Sequence, residues 1–307
     1  MNNKVRSKIV GLVVLLTFLV GCSSSGPVSP PTPTLGSPAT QALPTPESYP
    51  AWIVKPTTAS QVPLEVTKSL DVPYTSQEFL DVYSPVSAGD WPVVVIFHGA
   101  GDIKELLGDL AAAIASNGAV VFAPTRHSGA PKPGARMELT GLEDAACSIR
   151  FARAHASEYG GKSHRMIVVG HSEGAMQGAV MMFAGDEFHG DCLTQEGSAL
   201  PDAFLGLDGG YDPIPYIPND VLETQPDDCL RLDPFTYIGR VPKREGIRFL
   251  LFVGSYLTAQ LHTQAFRDAL QAAGYDVLMF QIPGVDHNGF WRPLPETVDA
   301  AVSLFSP

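Results

Sequence analysis

Short, uninterrupted apolar runs recur along the chain between longer stretches of helical composition. The runs are Val93 to Phe97, Ala119 to Ala123, Met166 to Val169, Ala203 to Leu207, Phe249 to Val253 and Val277 to Gln281. Runs of this length read as strands buried on both faces. The intervening stretches predict helices at Leu106 to Ser116, Leu142 to Ser157, Ala175 to Phe183, Thr263 to Ala273 and Pro295 to Phe305. Ahead of them, Leu64 to Leu70 and Gln77 to Tyr83 alternate apolar and polar residues, which suits an antiparallel hairpin at a sheet edge. Strands alternating with helices predict an α/β fold, a mainly parallel twisted sheet of about eight strands covered by helices on both faces. Residues 211 to 244 break the rhythm. Their density of Pro and Asp predicts an irregular excursion between two strands, the place for a lid or a substrate-binding wall.

The N-terminal pattern is different. Lys4, Arg6 and Lys8 precede an uncharged run from Ile9 to Val20 that closes on Gly21-Cys22. About a dozen apolar residues are too few to cross a bilayer core of roughly 30 Å as a helix, so residues 1 to 21 read as a secretory signal and not a membrane span. The end of the run resembles a bacterial lipobox, which implies cleavage before Cys22, lipid attachment to its sulfur and anchoring outside the cytoplasm at the cell membrane or outer membrane. Residues 23 to 50 then hold eight prolines among Ser, Thr and Gly. Such a segment cannot bury a core and reaches on the order of 80 Å when stretched, and the whole of 22 to 60 is expected to be a disordered tether. The remainder, 61 to 307, contains no second linker and reads as one domain.

The formal charge of the chain is −12, and losing residues 1 to 21, with their three basic side chains and no acid, takes it to −15. No basic run exceeds two residues. Nucleic acid is therefore an unfitting partner, and any membrane attachment rests on the lipid rather than on charge. Of four cysteines, Cys22 is assigned to lipid. Cys192 and Cys229 both lie in loop-like sequence and could form a disulfide, whereas Cys147 falls in an apolar helix pattern and reads as a buried thiol. No cysteine pair has metal-ligand spacing and no phosphate loop is visible, so neither a metal nor a cofactor is expected. The sequence does not speak to oligomeric state.

Candidate chemistry centres on Gly170-His171-Ser172-Glu173-Gly174, where an apolar strand runs directly into a small-residue helix. This is the pattern of a nucleophile elbow: a strained strand-to-helix turn exposes the serine hydroxyl, and side chains at the two glycines would collide with neighbouring backbone. Together with Leu80-Asp81-Val82-Tyr83-Ser84-Pro85, Phe97-His98-Gly99-Ala100-Gly101 and Gly284-Val285-Asp286-His287-Asn288-Gly289-Phe290, the chain from about 64 to 305 resembles an α/β-hydrolase. It is most similar to the bacterial carboxylesterase and dienelactone-hydrolase-like branches.

The resemblance implies Ser172 as nucleophile, His287 as general base and backbone amides of Ala100, Gly101 and Glu173 as an oxyanion hole. His98 is expected to be structural, His171 to point aside, and His127 to line the pocket mouth. The acid departs from the family pattern, because Phe252 to Gln260, the stretch after the seventh strand, holds no carboxylate. Asp208, immediately after the strand Ala203 to Leu207, is the candidate in its place, with Asp212 in reserve; Asp286 adjoins the base but cannot easily turn back onto its ring. An acyl pocket is expected from residues 124 to 138 and 211 to 244, where Tyr211, Tyr216, Phe235 and Tyr237 either accept an acyl group or pack the excursion down.

Two functions follow. One is a tethered serine hydrolase that cleaves small-molecule or polymer-borne carboxylic esters through an acyl-enzyme on Ser172. A thioester or lactone hydrolase of the dienelactone type fits less well, since those enzymes use cysteine. The alternative, motivated by the missing carboxylate, is a catalytically degenerate relative serving as a surface binding or scaffold lipoprotein.

Overall fold

The computed structural model describes residues 63 to 306. The expected signal peptide, the lipid-attachment residue Cys22 and the tether lie outside the described residues.

Eight strands form one sheet: β1 (Val66–Pro73), β2 (Phe79–Pro85), β3 (Trp91–Phe97), β4 (Val120–Pro124), β5 (Gly161–His171), β6 (Ala203–Leu207), β7 (Arg248–Val253) and β8 (Asp276–Gln281). Their order is β1-β2-β4-β3-β5-β6-β7-β8. β2 runs antiparallel to both its neighbours, and every pairing from β4 to β8 is parallel. The helices are α1 (Gly108–Ser116), α2 (Thr140–His155), α3 (Glu173–Ala184), α4 (Asn219–Thr224), α5 (Pro226–Leu230), α6 (Leu257–Ala272) and α7 (Pro295–Ser303). α6 starts six residues earlier than its apolar pattern suggests, because its opening residues include the exposed Leu257 and Leu261.

Alternation along the central strands divides the core between two faces, as a parallel sheet covered on both sides requires. Val93, Val95 and Phe97 of β3 face Leu142, Ala146 and Ile149 of α2, with Ala175 and Ala179 of α3 in the same layer. Val94 and Ile96 point the other way, into a layer shared with Leu110 and Ile114 of α1 and Ala300 and Ala301 of α7. A one-residue slip of β3 would exchange these layers, so burial on both faces fixes its register.

From β3 the chain first builds toward the β1 edge and then, from β5, toward the β8 edge. β3 and β5 are neighbours, so the loops leaving their carboxyl ends diverge and open a crevice at this switch point. Both glycine-rich motifs leave from there.

The cysteines pair differently from expectation. Cys147 of α2 is bonded to Cys192, and Cys229 is a free, buried thiol. Cys192 makes an isolated antiparallel bridge to Thr75, and Gly190 passes so close to α2 that an added Cβ would stand 2.8 Å from Glu143 Cβ and 3.3 Å from the Cys147 sulfur. That crossing delivers Cys192 to the helix. Cys229 instead packs with Met137, Ile217 and Val221 in a small cluster built mainly within the excursion.

Candidate active site

Ser172 occupies the turn between β5 and α3 at φ 55°, ψ −120°, a region that costs a non-glycine residue about 1–3 kcal/mol. The surroundings enforce it. Its amide donates to Leu207 O at 3.0 Å, and its carbonyl accepts from the amides of Ala175, Met176 and Gly210 at 3.1, 3.3 and 3.2 Å. A Cβ at Gly170 would lie 2.4 Å from Gly174 O, and one at Gly174 would lie 2.4 Å from His98 O, so the elbow admits no side chain at either position.

Three distant segments meet at this serine. His287 Nε2 lies 3.0 Å from Ser172 Oγ, and His287 Nδ1 lies 2.6 Å from Asp208 Oδ2. Asp208 is fully buried at the end of β6, itself at φ 47°. Its amide donates to Phe252 O at 2.7 Å, and its other carboxylate oxygen accepts from the Gly254 amide at 2.8 Å. The stretch after β7, which lacks a carboxylate, thus supplies a donor to one. Gly254 must also be glycine, because a Cβ would fall 2.2 Å from Val285 O in the loop that carries His287. Ser255 ties the two loops together, its amide donating to Val285 O at 2.7 Å and its hydroxyl to the same oxygen at 3.0 Å.

The other candidate carboxylates are occupied locally. Asp212 accepts from the Ile214 amide at 3.2 Å, and Asp286 caps the turn His287–Trp291 by accepting from the Gly289 amide at 2.7 Å. Neither faces the imidazole.

The glycine-rich loop after β3 is braced from below. His98 is buried, and its Nδ1–H donates to Gly99 O at 2.9 Å while Nε2 accepts from the Arg126 amide at 3.2 Å. Burial, with the Arg126 charge adding to it, drives its pKa down to about 3, so the ring is neutral and structural. The Arg126 guanidinium donates to His98 O at 2.5 Å and lies over the Phe97 ring at 4.6 Å. Above this brace the amides of Ala100 and Glu173 have no hydrogen-bond partner among the described residues, and both residues line the cavity beside Ser172. The Glu173 amide is also the first of α3, where the helix dipole favours negative charge. The expectation for Gly101 is corrected. Its turn, at φ 69°, directs its amide to Ser128 Oγ at 3.1 Å, and the residue lies outside the cavity lining.

Pattern reading missed three contributions. His171 does point aside, but with a purpose: its Nε2–H donates to His287 O at 2.9 Å, and the two rings lie 4.7 Å apart. Burial, then the neighbouring His287, lowers its pKa to about 4, which keeps it a neutral tether. The Glu173 side chain accepts from the Gly129 amide at 2.8 Å and from Gln177 Nε2 at 3.0 Å, pinning the 126 to 138 loop over the site. Burial raises its pKa, against the opposing pull of the Gly129 amide and Arg126. The third is the Gly254 donor. Only its position after an apolar strand could have signalled it.

The cavity at Ser172 holds about 540 Å³. Its walls are largely apolar: Ala130 and Pro131 from one loop, Tyr216, Ile217 and Leu232 from the excursion, Tyr256 and Ala259 around the start of α6. The excursion thus supplies a wall from Pro213, Tyr216, Ile217 and Leu232, residues on either side of α4 and α5. Of the four aromatics named above, only Tyr216 reaches the cavity. Tyr211 stacks on Phe266 at 4.2 Å, Phe235 packs edge-on to the same ring, and Tyr237 is buried in the core. His127 does not line this cavity but a neighbouring one.

No family model matches the chain, and no curated protein matches it. Solved structures do. A truncated carbohydrate esterase from gut microbiota superposes with TM-score 0.62 at 17% identity, covering 78% of this chain and 97% of that one. Esterase B from Lactobacillus rhamnosis gives 0.60 at 14%, covering 78% and 84%. A thermophilic esterase from the Planctomycetes species Thermogutta terrifontis, bound to propionate, gives 0.58 at 17%, covering 80% and 96%. Similarity at this identity shows shared architecture: the chain has the α/β-hydrolase fold.

Proposed function

We propose that the protein is a serine hydrolase of carboxylic esters, acting outside the cytoplasm from a lipid tether at Cys22. The observation that carries the catalytic part is His287, held by Asp208 on one ring nitrogen and reaching Ser172 Oγ with the other, beside two amides without a partner among the described residues. A carboxylate in that place answers the motive for a binding-only relative.

In the proposed reaction, Ser172 Oγ attacks the ester carbonyl carbon as its proton passes to His287 Nε2. The carbonyl oxygen takes up the negative charge between the Ala100 and Glu173 amides. Asp208 holds the imidazole in the tautomer with Nδ1–H and stabilises the imidazolium. Collapse breaks the bond to the alkoxy oxygen, which leaves as the alcohol with the proton from His287. Water then attacks the acyl-serine with His287 again as base, releasing the carboxylic acid and restoring the hydroxyl. Aiming preformed amides at the developing oxyanion contributes about 10²- to 10³-fold per donor.

A cavity of about 540 Å³ with apolar walls suits a short acyl chain. The serine nucleophile favours the carboxylesterase branch over the dienelactone type. Support for an extracytoplasmic place comes from the lipobox-like sequence ending at Cys22 and from the Cys147–Cys192 disulfide, which suits an oxidising compartment. Small-molecule and polymer-borne esters both remain within this reading.

A fluorophosphonate probe is expected to label the wild-type protein and not Ser172→Ala, and 4-nitrophenyl butyrate to be hydrolysed only by the former. A folded wild-type sample that takes no label ends the reading. For the tether, wild-type protein is expected to incorporate a labelled fatty acid and Cys22→Ser to take up none; equal uptake by both, or none by wild type, would remove the lipid anchor at Cys22.

A further inference from the structure

A second cavity, of about 310 Å³, lies against the first and shares Gly129, Ala130, Pro131, Glu173 and Leu232 with it. Its remaining walls are of a different character, with His127, Ser128, Lys132, Arg136, Glu138 and Gln177 among them. From Leu110 to Met137 the chain carries Arg126, His127, Lys132 and Arg136 and no acid, in a protein of formal charge −12. Neither the Lys132 ammonium nor the Arg136 guanidinium has an ion-pair or hydrogen-bond partner among the described residues, whereas Lys104 is bonded to three carboxylates.

His127 adds a third donor. Its Nδ1 lies 2.7 Å from Asp144 Oδ2, its amide donates to the same oxygen at 2.9 Å, and its Nε2 has no partner among the described residues. Asp144 raises its pKa, so the ring is readily charged. Two carboxylates share the lining. Glu173 is already tied to Gly129 and Gln177, and Glu138 stands on the rim as one negative charge against Lys132 and Arg136. Asp144 and Glu78, the latter 3.7 Å from Nδ1, offset any charge on His127, so the anion site rests on Lys132 and Arg136, cations without a partner among the described residues.

We propose that this cavity receives the leaving-group half of the ester, and that the leaving alcohol carries a carboxylate recognised by Lys132, Arg136 and His127. The proposal rests on the hydrolase reading, with the acyl half in the apolar cavity and Glu173 with the 129 to 131 strap between the two halves. Exposed charges of this kind discriminate by modest factors and steer encounter more than they hold.

The test pairs 4-nitrophenyl butyrate with 3-carboxy-4-nitrophenyl butyrate, which share an acyl group and differ in one leaving-group carboxylate. The ratio of kcat/KM, carboxylated over neutral, is expected to fall about 5- to 10-fold in Lys132→Gln/Arg136→Gln. In wild type it should also fall as salt rises from about 0.05 to 0.5 M. A ratio that the double variant leaves unchanged overturns the proposal. A binding measurement separates it from the hydrolase reading: Ser172→Ala protein is titrated with 5-hydroxy-2-nitrobenzoate, the alcohol released from the carboxylated ester. Its affinity should drop by a similar factor when both Gln substitutions are added, and equal affinity overturns the subsite. Loss of that binding in a protein that hydrolyses neither ester would sustain the subsite and defeat the hydrolase.

Discussion

Two histidine–aspartate pairs stand on neighbouring walls of this molecule, with almost the same bond. His287 Nδ1 lies 2.6 Å from Asp208 and His127 Nδ1 lies 2.7 Å from Asp144. They differ in what the far nitrogen meets. His287 Nε2 reaches a strained serine hydroxyl at 3.0 Å, whereas His127 lines a second cavity and its Nε2 is bonded to no hydroxyl among the described residues. They differ also in their carboxylates. Asp208 sits at the end of a central strand and binds a second loop through Gly254, while Asp144 spends one oxygen on both the ring and the amide of a single residue. A histidine oriented by a carboxylate is therefore only half of a catalytic device. The other half is a reacting atom placed by a second, independently strained element.

The sharpest way to break the comparison is to neutralise each acid in turn. Asp208→Asn is expected to lower kcat on the order of 10⁴-fold with the fold retained, because the imidazole loses its tautomer and its counter-charge. A fall of less than about tenfold would leave Asp208 outside the reaction. The matching change, Asp144→Asn, should lower turnover of a neutral ester by less than about threefold while costing about 1–3 kcal/mol of stability, measured by denaturant unfolding.

The second pair also lies beside a covalent staple, since Asp144 and Cys147 share α2. The bridge spans a sequence separation of 45 residues, for which loop-closure entropy gives about 4 kcal/mol. Cys147→Ser should lose stability of that order in thermal unfolding, while the folded fraction keeps its turnover. Loss of turnover in proportion to the folded protein would show instead that the staple positions the serine.

A smaller effect tests the tether on the first pair. His171→Ala removes the hydrogen bond to His287 O and should reduce kcat about 5- to 10-fold with KM little changed. His171→Gln, which can replace the donor, should recover part of it.

The smallest effect is a titration. His127 has its pKa raised above the ordinary 6.5, chiefly by its hydrogen bond to Asp144. Its contribution to stability is therefore fully present below about pH 6.5 and is lost as pH rises through the higher folded-state value. The His127 imidazole signal in NMR should titrate above 6.5 in wild type and move back toward it in Asp144→Asn; identical midpoints would dissolve the pairing.

Much of this was legible in the chain. β6 occupies the span of its apolar run, and α2, α3 and α7 fall within a few residues of theirs, because burial on a sheet face leaves a continuous apolar signature. The elbow was legible for a steric reason, since nothing but glycine fits at Gly170 and Gly174. Asp208 was legible as the first carboxylate after a central strand. The cysteine pairing was not, because loop character at Cys192 and Cys229 says nothing of which helix a loop crosses. Gly101 was misread for a similar reason: a glycine-rich loop announces free amides, but a hydroxyl at Ser128, far along the chain, consumes one of them.

The sequence by itself determined the layers and which side chains stand at the carboxyl ends of the strands, because burial and sterics act on neighbouring residues and leave local patterns. Only the tertiary structure decided the partners: Cys147 with Cys192, Gly254 with Asp208, His171 with the His287 carbonyl, and, among the described residues, no ion pair for Lys132 or Arg136. Each of these is a distance between segments remote in the chain. No periodicity or composition encodes such a distance until the sheet has set the strands side by side.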